Sequence, residues 1–312
     1  MANSSSLSMR ATYSEIQITQ YLSTIELPES YKDAKPSLDI LTALQQHQLS
    51  HIPFENLSIH YSSHHRISLD PEFLFKKIVS RSAGRGGYCM ENNCFFGTVL
   101  RTLGYEVVSV GARVHESVME HGRDAYMGFS HMVNLVKLDG QVYTVDVGFG
   151  SDGPIRPIPL DPTHVAQGIG EQEMRVFKDG ISDNTDSSQR LWIYQTRYSP
   201  AHQWKPVYCF TEQEFLPQDY EIMSYFTSTS RKSFFTQAVV VVEMIKGEND
   251  EIVGTLAMTN GSFKRRIKGN SEIVAECKSE DERVEALSNY FGIKLEPEEI
   301  EGIKGLSTQL KG

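Results

Sequence analysis

The sequence predicts an α+β protein with a helical N-terminal part, a region of antiparallel strands and a helix near the C-terminus. Through the first eighty-odd residues, apolar side chains recur at helical spacing. From Tyr105 onward the apolar period changes to two, and the turn signals Asp139-Gly140 and Asn260-Gly261 separate alternating segments. The length of 312 residues suffices for two or three domains with a substantial core.

Three N-terminal segments carry recognisable helix starts. Residues 13–25 have apolar side chains at helical spacing, and Ser37 can cap the segment that follows it. Asp70 followed by Pro71 is a typical start for the helix predicted over residues 73–79, because proline fits the first helical position. The N-terminal part is therefore predicted to be mostly helical.

The remaining elements follow from period-two alternation and from turn residues. Residues 152–189 are rich in Pro, Gly, Asp and Ser without sustained periodicity, which predicts a long loop or an insertion. Ser279 and Glu282 form a capping box for a later helix that should end at Gly292. Strands are predicted at residues 105–115, 131–138, 141–147, 191–199, 235–245 and 251–259.

Composition excludes several classes of partner. The 30 Lys and Arg against 40 Asp and Glu give a net charge of −10, which argues against nucleic acid or an anionic membrane as a partner. The longest apolar run, residues 238–242, is far shorter than the ~18 residues that span a bilayer. With no apolar signal at the N-terminus and no C-x-x-C pair among four cysteines, we expect a cytoplasmic protein. His64-His65 has no further ligand nearby, so no metal site is predicted.

Cys89 is the candidate nucleophile. It lies in the segment RGGYCMENN at residues 85–93, directly before apolar residues at helical spacing, and should therefore begin a buried helix. A helix N-terminus stabilises a thiolate and can hold an oxyanion through its free N–H groups. Gly86 and Gly87 would let another molecule approach the backbone. The alternative is that Cys89 is only a small buried apolar residue, which is how we interpret the other three cysteines.

The hairpin around Asp139-Gly140 supplies a candidate base and an acid to orient it. A two-residue loop pairs positions whose numbers sum to 279, so that His131 lies opposite Gly148. Asp146 is then the diagonal neighbour of His131 on the same face, within side-chain reach. An ordinary hydrogen-bonded pair is the alternative interpretation, but the cysteine upstream favours a nucleophile, base and orienting acid.

These residues resemble the arylamine N-acetyltransferase family. The family's R-G-G-x-C-x-E-x-N signature is matched at residues 85–93, its histidine strand at SHMVN (residues 130–134), and its V-D-V-G-F-G segment at residues 145–150. His51 with the PFEN sequence at residues 53–56 is similar to the family's N-terminal element, which we expect to be structural, although Phe54 could line the cleft. The four motifs occur in the family's order over most of the chain, and the chain resembles a eukaryotic, fungal-like member.

The resemblance implies a three-domain fold of the cysteine-protease and transglutaminase kind. The expected domains are a helical bundle at residues 1–84, a β-barrel at residues 85–195 with an insertion at about 152–189, and an α/β lid at residues 196–312. It also implies a catalytic triad of Cys89, His131 and Asp146.

The resemblance further implies a coenzyme A site. Met127 and Gly128, ahead of His131, would border the acyl group and coenzyme A. Residues 223–235 read MSYFTSTSRKSFF and correspond to another part of that site, but lack the Asn and Pro that are common in the family. The coenzyme A contacts expected from this segment are Phe226, Ser230, Lys232 and Ser233.

The expected function is arylamine N-acetyltransfer by a ping-pong mechanism, with acetyl-CoA as co-substrate and aromatic amines or hydrazines as acceptors, as in xenobiotic metabolism. One alternative is another papain- or transglutaminase-like cysteine enzyme. A second is an N-acyltransferase selective for malonyl- or propionyl-CoA. A third is a binding or scaffold protein without turnover, against which the complete set of three side chains argues.

Overall fold

The N-terminal helices begin at the capping residues expected from the sequence. The computed structural model describes residues 11–32, 35–119, 122–248 and 250–312. Ser37 Oγ accepts the Ile40 N–H at 3.3 Å, and Asp70 Oδ1 accepts the Phe73 N–H at 2.9 Å. The helices of this part are α1 (Glu15–Thr24), α2 (Glu29–Lys32), α3 (Leu38–His51), α4 (Leu57–His60), α5 (Pro71–Phe75) and α6 (Cys89–Thr102).

One predicted helix changes its hydrogen-bond pattern along its length. The helix expected over residues 73–79 is α-helical only as far as Phe75 and continues as a π-helical turn over Lys76–Ser80. A π-helical turn shifts the side chains that follow it around the helix axis. Lys77 is buried in this turn, where the sequence pattern gave no reason to expect a lysine in the core.

Among the described residues, eight strands form an antiparallel sheet in the order β5-β4-β3-β2-β9-β8-β7-β6. The sheet curls until β5 contacts β7, which produces a nearly closed barrel. The predicted register is confirmed from the pair Leu138–Gln141 to the pair Asn134–Val145, where the ladder ends. The strands are β2 (Glu106–His115), β3 (Tyr126–Leu138), β4 (Gln141–Val145), β5 (Ile158–Pro159), β6 (Ala166–Gln167), β7 (Glu173–Asp179), β8 (Leu191–Arg197) and β9 (Lys205–Glu214).

The prediction of a long loop at residues 152–189 is wrong where this segment forms strands. That segment contains β5, β6 and the seven-residue strand β7, all of which belong to the barrel. Met174 and Val176 of β7 are buried, but the alternation of apolar residues is short and Gly180 follows it directly, so it does not stand out in the sequence. Strand β9 was not predicted either.

A second sheet has the strand order β1-β10-β11-β12-β13 within the described residues. Its strand β1 comes from the N-terminal part, since Phe54 pairs with Val242 and Glu55 with Val241. Asn260-Gly261 forms the predicted turn, because Thr259 pairs with Ser262. The strands are β1 (Phe54–Glu55), β10 (Val240–Lys246), β11 (Ile252–Thr259), β12 (Ser262–Ile267) and β13 (Asn270–Glu276).

The helices of the C-terminal part differ from the prediction in two places. Residues 235–245 do not form one strand, because α8 occupies the beginning of that segment. Helix α7, which begins with a proline at its first position, was not predicted. The capping box of Ser279 and the left-handed Gly292 that ends the following helix are confirmed. The helices are α7 (Pro217–Thr229), α8 (Phe234–Gln237), α9 (Glu280–Phe291) and α10 (Pro297–Glu301).

The three largest clusters of buried apolar side chains among the described residues organise the molecule. One joins the N-terminal helices to the barrel interior, and a second lies between α4, α9 and the second sheet. The third contains Cys89 together with side chains of α7, β3 and β10. The start of α6 therefore lies where the barrel, α7 and the second sheet meet. No helix in the described ranges is long and apolar enough to cross a bilayer, and no group of three potential metal ligands occurs in them.

Candidate active site

Cys89 is the first residue of α6, as predicted. Tyr88 before it is extended, and Glu91 Oε2 accepts the Tyr88 N–H at 3.2 Å, which caps the helix. The side chain of Cys89 is buried, with 4% of its surface exposed. Its Sγ lies 3.6 Å from the carbonyl oxygen of Ser130 on β3, so the thiol faces the strand that carries His131.

The two glycines before Cys89 have a role that differs from the expected one. A Cβ at Gly86 would lie 1.9 Å from the carbonyl oxygen of Pro53, and a Cβ at Gly87 would lie 2.4 Å from Cβ of Glu91. The protein's own backbone and Glu91 therefore occupy the space that we expected to serve a ligand. Glycine is needed here because the chain before α6 packs directly against β1.

His131 and Asp146 are in contact. Nε2 of His131 lies 2.7 Å from Oδ2 of Asp146, and both side chains are almost fully buried. The ladder between β3 and β4 ends at the pair Asn134–Val145. The expected pairing of His131 with Gly148 is therefore wrong. The chain after Val145 instead turns toward α6, where a Cβ on Gly148 would lie 2.8 Å from Cα of Cys89. The three predicted side chains are therefore brought to one place.

Asp146 is held by two further donors. Asn93 Nδ2 and the Gly148 N–H each donate to Oδ1 of Asp146 at 2.8 Å. Burial by itself would raise the pKa of Asp146, but the charge and hydrogen bond of His131, with the Asn93 and Gly148 donors, hold it below its ordinary value. Asp146 is therefore an ionised acceptor that can stabilise a protonated imidazole.

Asn93 is a positioning residue whose role the sequence did not reveal. Its Oδ1 accepts the Val147 N–H at 3.0 Å, and its Nδ2 also donates to the Met132 carbonyl at 2.8 Å. One side chain on α6 thus fixes the chain on both sides of the His131–Asp146 pair. The only signal in the sequence was its place in the RGGYCMENN segment.

Aromatic rings fix the plane of the imidazole. The ring centroids of Phe149 and Tyr208 each lie 5.1 Å from that of His131. With Nε2 bound to Asp146, Nδ1 is the ring nitrogen that makes no hydrogen bond within the described ranges. It can therefore accept the proton of the Cys89 thiol.

Burial opposes ionisation of Cys89, the candidate nucleophile. It raises the pKa of the Cys89 thiol, and the negative charge of Asp146 acts in the same direction. The backbone N–H groups of Cys89 and Met90 at the helix start act in the opposite direction. The helix N-terminus is therefore not sufficient to hold a thiolate. Transfer of the proton to His131 is the step that can create one, because Asp146 stabilises the resulting imidazolium.

We expect alkylation of Cys89 by iodoacetamide to remain fast below pH ~8.5, the ordinary pKa of a thiol. His131→Ala removes the proton acceptor and leaves burial and the charge of Asp146, so the rate should rise only above that pH. The matched control is His164→Ala, which replaces an exposed histidine of the barrel. Rate profiles measured by mass spectrometry test this, and identical profiles for the intact protein and His131→Ala would contradict it.

A buried ionic network supports the start of α6. Lys77 Nζ lies 2.8 Å from Oε1 of Glu91 and 3.2 Å from Oε1 of Glu55. Arg85 Nε donates to the same Glu55 oxygen at 3.0 Å. The charges of Arg85 and Lys77 hold the pKa of Glu55 below its ordinary value, against the effect of burial. The network joins β1, the turn after α5 and the cap of α6, so the PFEN element is structural in this contact.

Aromatic side chains pack against one another between α8 and the start of α6. The ring of Phe235 lies 5.7 Å from that of Tyr88 and 6.0 Å from that of Phe54. Tyr88 Oη lies 2.6 Å from Oγ of Ser224 on α7. These contacts place α7 and α8 against the residues that flank Cys89.

The six residues expected to bind coenzyme A occupy two separate segments. Met127 and Gly128 are the second and third residues of β3, and a Cβ on Gly128 would meet open space. Phe226 lies on the outer face of α7 with 58% of its surface exposed. The others lie between α7 and α8, where Ser230 and Ser233 cap the two helices and Lys232 is exposed. The segment is therefore helical over much of its length, and its role in binding remains a proposal.

Comparisons with known proteins agree with this geometry. A family model described as N-acetyltransferase matches residues 37–300. The N-malonyltransferase FDB2 of Fusarium pseudograminearum (strain CS3096) is 40% identical, over 93% of this chain and 92% of that protein. The structure of Mycobacterium marinum arylamine N-acetyltransferase in complex with CoA has a TM-score of 0.75 at 25% identity, over 93% of this chain and 99% of that chain.

The fold agrees as well with a more distant structure. The arylamine N-acetyltransferase from Mycobacterium abscessus has a TM-score of 0.78 at 22% identity, covering 96% of each chain. The expected α+β fold of the cysteine-protease-like kind is therefore confirmed. The family model covers well over half of the chain, and this chain belongs to the arylamine N-acetyltransferase family.

Proposed function

We propose that this protein transfers an acyl group from an acyl-CoA to an aromatic amine or hydrazine by a ping-pong mechanism, with Cys89, His131 and Asp146 as the catalytic residues. Membership of the family indicates N-acyl transfer as the class of reaction. The observation that carries the proposal is the buried Cys89 at the start of α6, facing the strand whose His131 is bound to Asp146.

The first half-reaction acylates the enzyme. His131 takes the proton of Cys89, and the thiolate attacks the thioester carbonyl of the acyl-CoA. The Cys89 N–H at the start of α6 is our candidate donor to the oxyanion. As the bond from the carbonyl carbon to the coenzyme A sulfur breaks, His131 returns its proton to that sulfur. Coenzyme A leaves, and the acyl group stays on Cys89.

The second half-reaction delivers the acyl group. The amine nitrogen attacks the thioester of the acyl-enzyme, and His131 accepts the proton that the nitrogen loses. The bond from the carbonyl carbon to Cys89 Sγ breaks, and the thiol is restored with that proton. Asp146 remains ionised throughout and holds the imidazole in one orientation.

For the acyl donor, we propose malonyl-CoA ahead of the acetyl-CoA expected from the sequence. The support is the 40% identity to a protein named N-malonyltransferase. By comparison, human arylamine N-acetyltransferase 1 is 27% identical over 90% of this chain. Acetyl-CoA is the competing donor, and propionyl-CoA has no observation in its favour.

Incubation with one acyl-CoA and no amine tests the function. We expect the intact mass to increase by one acyl group, located on Cys89 by peptide mapping, and coenzyme A to be released in equal amount. Addition of an aromatic amine should remove the acyl group and restore the original mass. A peptidase or transglutaminase would not form this adduct, and a scaffold protein would release no coenzyme A. Initial rates with malonyl-, acetyl- and propionyl-CoA rank the donors.

We expect the double substitution Arg231→Ala with Lys232→Ala to weaken binding of every acyl-CoA alike, by about tenfold, because two exposed cations near α8 can attract the coenzyme A phosphates. The measurement is KM for malonyl- and acetyl-CoA at two salt concentrations. Unchanged KM values would show that residues 230–233 are an exposed turn outside the donor site.

A further inference from the structure

Arg113 is a half-buried cation without an acidic partner. It lies on β2, and its guanidinium stacks 4.0 Å from the ring centroid of Phe129. Nη1 donates to the Met127 carbonyl at 3.3 Å. Throughout the part of the chain that the structure describes, this guanidinium forms no ion pair. Two nearby carboxylates have other partners. Glu116 forms an ion pair with Arg123, and Asp183 accepts the Tyr126 N–H.

The position of Arg113 follows from the strand pairing. Ala112 pairs with His131 and Arg113 pairs with Phe129, with a bulge at the residue between them. That residue is Ser130, whose carbonyl faces the thiol of Cys89. Phe129 packs against the apolar cluster that contains Cys89. Paired residues on neighbouring strands lie about 5 Å apart, so Arg113 is one strand away from the residue that contacts the nucleophile.

An exposed residue follows the hydrogen-bond acceptor of Arg113. That acceptor, Met127, is followed by the exposed Gly128, beside which a Cβ would meet no atom within 4 Å. The guanidinium thus lies between Phe129, which packs against the cluster containing Cys89, and the exposed part of β3 at Gly128. An arginine is more weakly hydrated than a lysine, and its planar donors match the two oxygens of a carboxylate or phosphate.

We propose that Arg113 binds an anionic group of the acyl donor, either the free carboxylate of a malonyl group or a phosphate of coenzyme A. The inference rests on the proposed function and makes the donor site more specific. Recognition of the acyl donor would then involve β2, a strand in which the sequence analysis predicted no binding residue. Stacking on Phe129 and the bond to Met127 fix the guanidinium before the donor arrives, which lowers the entropy lost on binding.

The test compares Arg113→Gln with Arg175→Gln. Arg175 also stacks on an aromatic ring, 4.2 Å from the ring centroid of Trp204. It lies on β7, three strands away from β2 in the same sheet. KM and kcat are measured with malonyl- and acetyl-CoA. Dissociation constants for the same ligands are measured by calorimetry in a Cys89→Ala background, where no acyl group is transferred.

We expect Arg113→Gln to weaken binding of malonyl-CoA by ~10- to ~100-fold, the loss typical of one hydrogen bond to a charged group, with Arg175→Gln unchanged. A loss confined to malonyl-CoA identifies the acyl carboxylate as the partner, and an equal loss with acetyl-CoA identifies a phosphate. Arg113→Lys should restore part of the affinity, and alkylation of Cys89 by neutral iodoacetamide should not change. Unchanged dissociation constants in Arg113→Gln would overturn the proposal.

The calorimetric arm separates this inference from the proposed function. If no donor acylates Cys89 in the intact protein, the catalytic proposal fails, whereas binding of coenzyme A thioesters can still depend on Arg113. A slower iodoacetamide reaction in Arg113→Gln would show a general disturbance of the site. In that case a purely structural role replaces the proposed one.

Discussion

Cys89→Ala is expected to lower acyl transfer by roughly 10⁴-fold or more, because the reaction then lacks the atom that carries the acyl group. The fold should be retained, since alanine is smaller than cysteine and the start of α6 is capped by Glu91 rather than by the thiol. Coenzyme A release with saturating aromatic amine measures the effect, and circular dichroism with thermal unfolding monitors the fold. Cys89→Ser should be similarly inactive, because a serine hydroxyl is a much weaker nucleophile than a thiolate without further activation.

Cys94→Ala is the matched control for that substitution. Cys94 lies on the same helix, five residues further on, and its Sγ contacts the Leu69 carbonyl at 3.6 Å rather than β3. Burial raises the pKa of Cys94 to about 11, so it should remain an unreactive thiol. More than about a tenth of the original rate in Cys89→Ala would assign the nucleophile elsewhere, and loss of activity in Cys94→Ala alone would reverse the assignment.

Lys77→Met is expected to lower the free energy of unfolding by about 3–5 kcal/mol, the usual cost of removing one partner of a buried ion pair. Only 5% of the Lys77 surface is exposed, and its Nζ bridges the carboxylates of Glu55 and Glu91. Methionine fills a similar volume without charge. The loss would therefore report the Glu91 carboxylate left without its cation, because Glu55 keeps its ion pair with Arg85. Urea unfolding followed by fluorescence measures the change.

Lys76→Met provides the control, because Lys76 is the preceding residue in the same π-helical turn and is exposed. Its loss should change the free energy of unfolding by less than about 0.5 kcal/mol. A second variant, Lys77→Met with Glu91→Gln, removes the carboxylate that Lys77→Met leaves without its cation and should recover part of the stability. If Lys77→Met and Lys76→Met were equally stable, the ionic network would not support α6.

Features specified by neighbouring residues were correctly predicted from the sequence. The caps at Ser37, Asp70 and Ser279 depend on a side chain and an N–H group three positions apart. The register of β3 and β4 depends on the two-residue turn between them. Parity placed His131 and Asp146 within reach, but the ladder ends at Val145, so their contact depends on the turn of the chain toward α6. The position of Cys89 at a helix start likewise depends on the apolar period that follows it.

Features that depend on residues far apart in the chain required the tertiary structure. Strand β7 is stabilised by pairing with β8, and its own alternation of apolar residues is too short to indicate a strand. Position 86 requires glycine because the carbonyl of Pro53 lies where a Cβ would be. Lys77 can be buried because it forms ion pairs with Glu55 and Glu91.

The sequence by itself thus determined the family, the fold class and three candidate catalytic side chains. Local motifs and the period of apolar residues were sufficient for these conclusions. Only the tertiary structure decided what surrounds them. It showed that burial opposes ionisation of Cys89, that Asn93 holds Asp146, and that Arg113 is one strand away from the thiol site. The physical reason is that burial, charge pairing and close packing arise where residues far apart in the chain come into contact, which local sequence motifs do not specify.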